Sequence, residues 1–197
     1  MSAATIAPST VLHRYITAAE FERMVQAGIF KPDERIELLD GELYEMAAIG
    51  ARHASAVRRL INLLARRLGD RAIIDAQNPI LLGEKALPQP DILVLHDNDY
   101  APDTFPTPAD VFIIIEVADS SLDYDRGVKF PRYAAAGIPE VWLVDLNANV
   151  IERHSDPRGG RYHQIFFAGI GDTLSSTVLP DLAIPVVAVV GTTGQSQ

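Results

Sequence analysis

Two acids and a lysine stand where this sequence has little other use for charge. Asp91 opens the apolar run Asp91-Ile-Leu-Val-Leu95 directly after Pro90. Glu116 lies near the end of Val111-Phe-Ile-Ile-Ile-Glu-Val117, and Lys129 follows thirteen residues later. A buried, unpaired carboxylate is costly, so it takes up a proton or finds a cation. Two carboxylates at the ends of neighbouring strands repel, and one of them normally protonates. A divalent cation reverses that preference, and hard oxygen ligands suit Mg2+ or Mn2+. A lysine beside them supplies positive charge to a phosphoryl oxygen or handles the proton of an attacking water. Together these are the parts of metal-assisted phosphodiester hydrolysis. Each residue also has a structural alternative. Asp91 can cap the start of its strand, Glu116 can pair with an arginine, and Lys129 can bridge to Asp125 four residues earlier. The coincidence of all three, two of them on otherwise apolar strands, favours a site.

The elements that must position them read as a mixed pattern. Thr17-Ala-Ala-Glu20 is a capping box for a first helix that stops at Gly28. Asp40-Gly41 between two apolar-rich arms, within Arg35–Met46, predicts a hairpin. Residues 52–68 predict a helix ending at Gly69, with Ala54, Val57, Leu60, Ile61, Leu64, Ala65 and Leu68 on one side. Arg52, Arg58, Arg59, Arg66 and Arg67 fill the other side, either as a solvated surface or as a phosphate-facing stripe; Arg71 lies just beyond. Strands are expected at 72–82, with an irregularity at Asn78-Pro79, and at 91–95 and 111–117. A helical stretch to about Ala136, a turn at Gly137-Ile-Pro139 and a strand at 140–145 follow. Asn147-Ala-Asn149 then joins a strand at 150–154, with further strands at 162–167 and 186–190. The order gives an α/β (α+β mixed) fold, a mixed sheet flanked by helices. We expect one domain over residues 15–190, between a flexible N-terminus (1–14) and a flexible tail (191–197).

Composition narrows the chemistry. The 197 residues are 48% hydrophobic, enough for a folded core, and contain no cysteine, which removes thiolate metal sites and cysteine nucleophiles. No phosphate-binding Gly-x4-Gly-Lys loop, dinucleotide fingerprint or Gly-x-Ser-x-Gly elbow occurs, so no nucleotide cofactor is expected. The five histidines are scattered without ligand-like spacing. The N-terminus lacks the features of a signal peptide, and no apolar run is long enough for a bilayer. The expectation is a soluble, cytoplasmic protein without a membrane partner. The net charge of −9 argues against general affinity for nucleic acid, so any DNA contact must come from local basic groups.

Pro90-Asp91, Glu116-Val117 and Asp125-x3-Lys129-x3-Tyr133-Ala-x-Ala-Gly-Ile-Pro-Glu-Val-Trp-Leu-Val-Asp145 together resemble the Uma-two family of restriction endonucleases, within the PD-(D/E)XK nuclease superfamily. Glu37-Leu-Leu-Asp-Gly-Glu-Leu-Tyr-Glu-Met46, His53, Gln77-Asn-Pro79, Gly171-Asp172 and Leu179-Pro180 fit the same pattern. The resemblance spans roughly residues 15–190. It implies a restriction-endonuclease-like sheet with an N-terminal helix and hairpin. It also implies a Mg2+ (or Mn2+) site formed by Asp91, Glu116 and the backbone carbonyl of Val117, and DNA as substrate. The superfamily's Glu-x-Lys would place lysine at 118, where this chain has Ala118, on the face of Glu116. In sequences of this family the lysine is displaced to the next helix, here Lys129. Pro131 would clash with the Gly127 carbonyl inside a regular helix, so that helix is expected to kink or to begin near Phe130.

Supporting candidates are Glu37 and Glu42 on opposite hairpin arms, His53, Gln77, and Asp125 and Tyr133, each four residues from Lys129. Three activities fit these residues: a metal-dependent endonuclease acting on DNA, a nucleic-acid-binding or accessory protein with the fold but little turnover, and a hydrolase of smaller phosphate esters. A homodimer, through strands such as Val186–Val190, would present two sites to two strands of a duplex.

Overall fold

The computed structural model describes residues 13–191; apart from residues 13, 14 and 191, the two expected flexible ends lie outside them. Thr17 caps α1 (Ala18–Gln26) through the reciprocal bonds with Glu20 that its spacing predicts. β1 (Arg35–Leu39) and β2 (Glu42–Met46) pair as a hairpin with Leu39 opposite Glu42. Asp40 and Gly41 form its turn at φ 52° and 82°, the left-handed pair that a two-residue hairpin loop requires.

The centre is a six-stranded sheet in the order β3 (Ala72–Ala76), β4 (Ile92–His96), β5 (Val111–Ala118), β6 (Glu140–Asp145), β7 (Val150–Arg158), β8 (Arg161–Ala168). Only β5 and β6 run parallel, so the chain must cross over between them. That crossover is helical: α3 (Leu122–Tyr124), a π-helical turn (Asp125–Lys129) and α4 (Phe130–Ala135). It covers one face of the sheet with Phe130, Tyr133 and Ile138. The other face is covered by α2 (Ala51–Leu68) and α5 (Val186–Val190). Alternation along β5 sends Ile113, Ile115 and Val117 toward α2 and leaves Ile114, Glu116 and Ala118 on the crossover side.

The π-helical turn answers the difficulty posed by Pro131. Proline has no N–H, and its ring would strike the carbonyl four residues back in an α-helix. Here the turn before it is one residue wider, and α4 starts at Phe130 with proline in its first turn, where no N–H is needed.

Two expectations are corrected. The strand at 72–82 ends at Ala76, because Gln77 takes φ 57° and Pro79 cannot donate to a ladder. Residues 186–190 are helix, not strand. β10 (Ala183–Pro185) pairs with β9 (Thr173–Ser175), and Pro185 then starts α5. Val186 and Val189 are buried three residues apart, a helical interval. A dimer by strand pairing at Val186–Val190 is therefore ruled out by the local backbone. Among the described residues, no helix is long and apolar enough to cross a membrane.

Candidate active site

The antiparallel register of β4 and β5 sets Ile92 opposite Ile115, which brings Asp91, one step before β4, beside Glu116. The Asp91 backbone N–H points at Glu116 Oε2 at 3.4 Å, and Asp91 Oδ2 accepts from the Val117 N–H at 2.8 Å. His53, in the first turn of α2, lies with Nε2 2.9 Å from the same Asp91 oxygen. From the crossover, Lys129 Nζ donates to Glu116 Oε1 at 3.0 Å and the Tyr133 hydroxyl donates to that oxygen at 2.6 Å. Lys129 Nζ is also 3.4 Å from Glu37 Oε2, on β1. Tyr124 donates to Glu37 Oε1 at 2.5 Å, and the Gln89 N–H donates to Glu37 Oε2 at 3.1 Å. Tyr124 and Lys129 are five residues apart, the hydrogen-bonding interval of the π-helical turn, and both meet Glu37.

The charges do not balance. Glu37, Asp91, Glu116 and Asp125 are 1%, 7%, 2% and 2% exposed, while Lys129 is the one lysine or arginine buried with them, at 1%. Burial pushes the Glu116 carboxyl up to about 8; Lys129 pulls it down, while Asp125 and Asp91 push it further up. Burial likewise raises Asp125 to about 6, against Lys129 and the Ser121 hydroxyl, which donates to it at 2.6 Å. Burial works against the charge on Lys129, but Glu116, Glu37 and Asp125 outweigh it and hold the ammonium above lysine's ordinary value. Lys129 is thus a fixed cation at neutral pH, and Glu116 carries a proton unless more positive charge arrives.

A cavity of about 230 Å³ opens onto this cluster, lined by Asp91, Glu116, Val117, His53, Asp125 and Lys129 among others. Glu116 Oε1 is taken by Lys129 and Tyr133, and Asp91 Oδ2 by His53 and Val117. Among the described residues, Asp91 Oδ1 receives no donor and Glu116 Oε2 only the long contact from the Asp91 N–H. No group of three or more His, Cys, Asp or Glu side chains is arranged to hold a metal among those residues. Two carboxylates nevertheless suit Mg2+, which keeps most of its waters and commonly takes one or two protein carboxylates. The donor set fits such an ion in type and in charge.

Other candidates fall elsewhere. Glu42 is exposed and, among the described residues, meets only the Tyr44 hydroxyl, at 3.4 Å; it stands opposite Leu39 at the turn end of the hairpin, on the face that carries Glu37. Gln77 acts through its backbone: its N–H donates to the Asp91 carbonyl at 3.1 Å, and its own carbonyl accepts from the Gln89 side chain. The arginines of α2 do not form one stripe. Arg52 bonds Asp119, Asn147 and the Leu146 carbonyl, and Arg59 bonds the Val189 and Val190 carbonyls and Ser55. Arg58, Arg66 and Arg67 are exposed, and the last two lie about 20 Å along the helix from His53. Tyr124 and Gln89 enter the site without having been singled out from sequence. For Tyr124 the signal is its five-residue interval to Lys129, legible only once the Pro131 problem is resolved by a wide turn.

The sequence model described as "Uma2: Putative restriction endonuclease" matches residues 18–187. No curated protein matches significantly. Among solved structures, a "putative nuclease belonging to DUF820" from Anabaena variabilis has a TM-score of 0.71 and 13% identity, covering 89% of this chain and 97% of that one. That likeness shows a shared fold. With nearly its whole length accounted for by the family pattern, this chain belongs to the Uma2 family of restriction-endonuclease-like proteins.

Proposed function

We propose that the protein is a Mg2+- or Mn2+-dependent endonuclease that hydrolyses phosphodiester bonds in DNA. The observation that carries this reading is the surplus of buried carboxylates: four acids around a single lysine, three of them lining an open cavity. A purely structural cluster would be expected to balance its charges, since unpaired buried charge is strongly destabilising.

In this reading Asp91 and Glu116, with the Val117 carbonyl, hold the ion. The ion would supply Lewis acidity at the phosphoryl group and an activated water. Lys129 stabilises negative charge on the phosphoryl oxygens; its raised pKa makes it an electrostatic group rather than a proton acceptor. Glu37 and Tyr133 fix the lysine and Glu116, and His53 orients Asp91. The N-terminus of α2 faces the same cavity through Ile49, Gly50 and His53, with no side-chain cap on its free N–H groups, an arrangement that favours a phosphate. Arg52, at that end, is the basic residue best placed for the DNA backbone once a phosphate displaces Asp119.

The test is plasmid nicking in Mg2+ or Mn2+, beside Asp91→Ala, Glu116→Ala and Lys129→Ala. Nicking abolished by EDTA and in the variants supports the proposal. DNA binding without cutting would favour an accessory protein, and cleavage of small phosphate esters alone would favour the third activity.

A further inference from the structure

One strong cation on the cavity wall is not committed to an acid. Among the described residues, three basic side chains line the cavity: Arg35, His53 and Lys129. Lys129 is held by Glu116 and Glu37, and His53 by Asp91. Arg35 makes no ion pair among those residues; its guanidinium has one hydrogen bond, from Nη1 to the Ala47 carbonyl at 3.3 Å. The neighbouring arginines differ: Arg52 pairs with Asp119, Arg126 with Glu152 and Arg132 with Asp40. Arg35 opens β1 opposite Met46, at the end of the hairpin away from its turn. Alternation puts it on the face of Glu37, about 7 Å nearer that open end. A second depression, of about 440 Å³, shares Arg35 and Gln89 with the cavity and continues to Lys31. Arg35 thus stands where the two meet.

We propose that Arg35 binds the backbone phosphate next to the one being cut, so that the DNA strand leaves the cavity over Arg35 into the second depression. The ligand class rests on the nuclease reading. A guanidinium is always charged and offers paired donors that match two phosphate oxygens. In Arg35 only Nη1 is engaged, and by a neutral carbonyl, so a phosphate can bind without breaking an ion pair. Arg52, by contrast, must first release Asp119. The need for such a group follows from charge: a net charge of −9 and four buried acids turn a phosphate away from the cavity. Lys129 is locked among those acids at 1% exposure and serves the phosphoryl group at the metal. Arg35, half-buried at the mouth, is the cation left for the flanking phosphate. A small phosphate ester has no second phosphate, so the placement of Arg35 favours a polymer.

The experiment is fluorescence anisotropy of a labelled DNA duplex with the full chain in Ca2+, an oxygen-seeking cation, across a KCl series. It compares the wild type with Arg35→Gln, Arg35→Lys and Arg66→Gln, the last at the exposed far end of α2. Arg35→Gln should bind about tenfold more weakly and lose about one unit of the salt slope, as for one phosphate contact. Arg35→Lys should keep the slope and part of the affinity, and Arg66→Gln should bind as the wild type does. Mn2+ calorimetry and thermal melting of Arg35→Gln should match the wild type, which separates a substrate contact from closure of the hairpin or damage to the metal site. Wild-type affinity and slope in Arg35→Gln overturn the proposal, as does a wild type without affinity for DNA. So does a loss shared equally by Arg35→Lys and accompanied by a lower melting temperature, the mark of a structural role. A wild type that binds DNA through Arg35 but does not nick it leaves this contact standing and overturns the nuclease reading instead.

Discussion

Lys129 and Glu116 are thirteen residues apart in sequence and 3.0 Å apart in space, and the π-helical turn between them sets that distance. The ammonium arrives from the crossover and not from β5 itself, whose next residue on the face of Glu116 is Ala118. Removing the ammonium leaves Glu116 and Glu37 buried without their cation. Lys129→Met should therefore destabilise the protein by about 3 kcal/mol or more. Adding Glu37→Gln should recover a large part of that loss, because it removes the carboxylate left buried without its cation. Urea titration of the two single variants and the double variant checks both statements; equal losses in the single and double variants would refute the coupling.

Metal binding should follow from the two uncommitted oxygens. Asp91→Asn and Glu116→Gln should each weaken Mn2+ binding by at least tenfold in calorimetric titration, and nicking should fall by about 100-fold or more. The readout is independent of turnover, so a protein that binds metal but does not cut would still be seen. Wild-type affinity retained in Asp91→Asn would remove that residue from the site.

Acidity gives a prediction of definite sign. Glu116 holds its proton more tightly in the fold, at about 8 against an ordinary 4.5, and Asp125 does so at about 6 against 3.8. The folded state then binds more protons than the unfolded state between those limits, so stability falls as pH rises. In EDTA the melting temperature should drop between about pH 5 and 8 from these two groups. Glu152 works the other way: its pKa is lowered by His154 and Arg126, which outweigh burial, so its contribution is lost only in acid. Glu116→Gln should flatten the neutral slope, and melting curves across pH will show whether it does.

Much of this site was legible in the sequence because it rests on local signals. Asp91 and Glu116 interrupt apolar strands, the capping box at Thr17 and the Asp40-Gly41 turn are short-range, and each forms as its residues dictate. Arg59 shows why more distant judgements fail. Its position on the polar side of α2 is legible, but its partners, the Val189 and Val190 carbonyls, are 130 and 131 residues away. Val186–Val190 misled for a related reason. Five apolar β-branched and small residues suit a strand by composition, yet Pro185 and the three-residue interval of buried valines make a helix. The rank of Glu37 against Glu42 also needed tertiary information, since the hairpin alone treats both as solvent-facing.

That pair supplies the sharpest contrast on one hairpin. Glu37 is 1% exposed and bonded by Lys129, Tyr124 and the Gln89 N–H, whereas Glu42 meets only the Tyr44 hydroxyl at the surface. Glu42→Gln should change stability by no more than about 0.5 kcal/mol and leave nicking intact. Glu37→Gln keeps the size of the side chain but removes one of the two carboxylates that hold the ammonium. Lys129 then leans on Glu116 alone and competes harder with a metal for that carboxylate. The expected outcome is a loss of about 10- to 100-fold in nicking rate, as for partners that orient a metal's ligands. The metal concentration needed for half-maximal rate should rise with it. Rates measured across a Mg2+ series for both variants decide the matter: equal behaviour of Glu37→Gln and Glu42→Gln would show that Glu37 only fills space beneath the site.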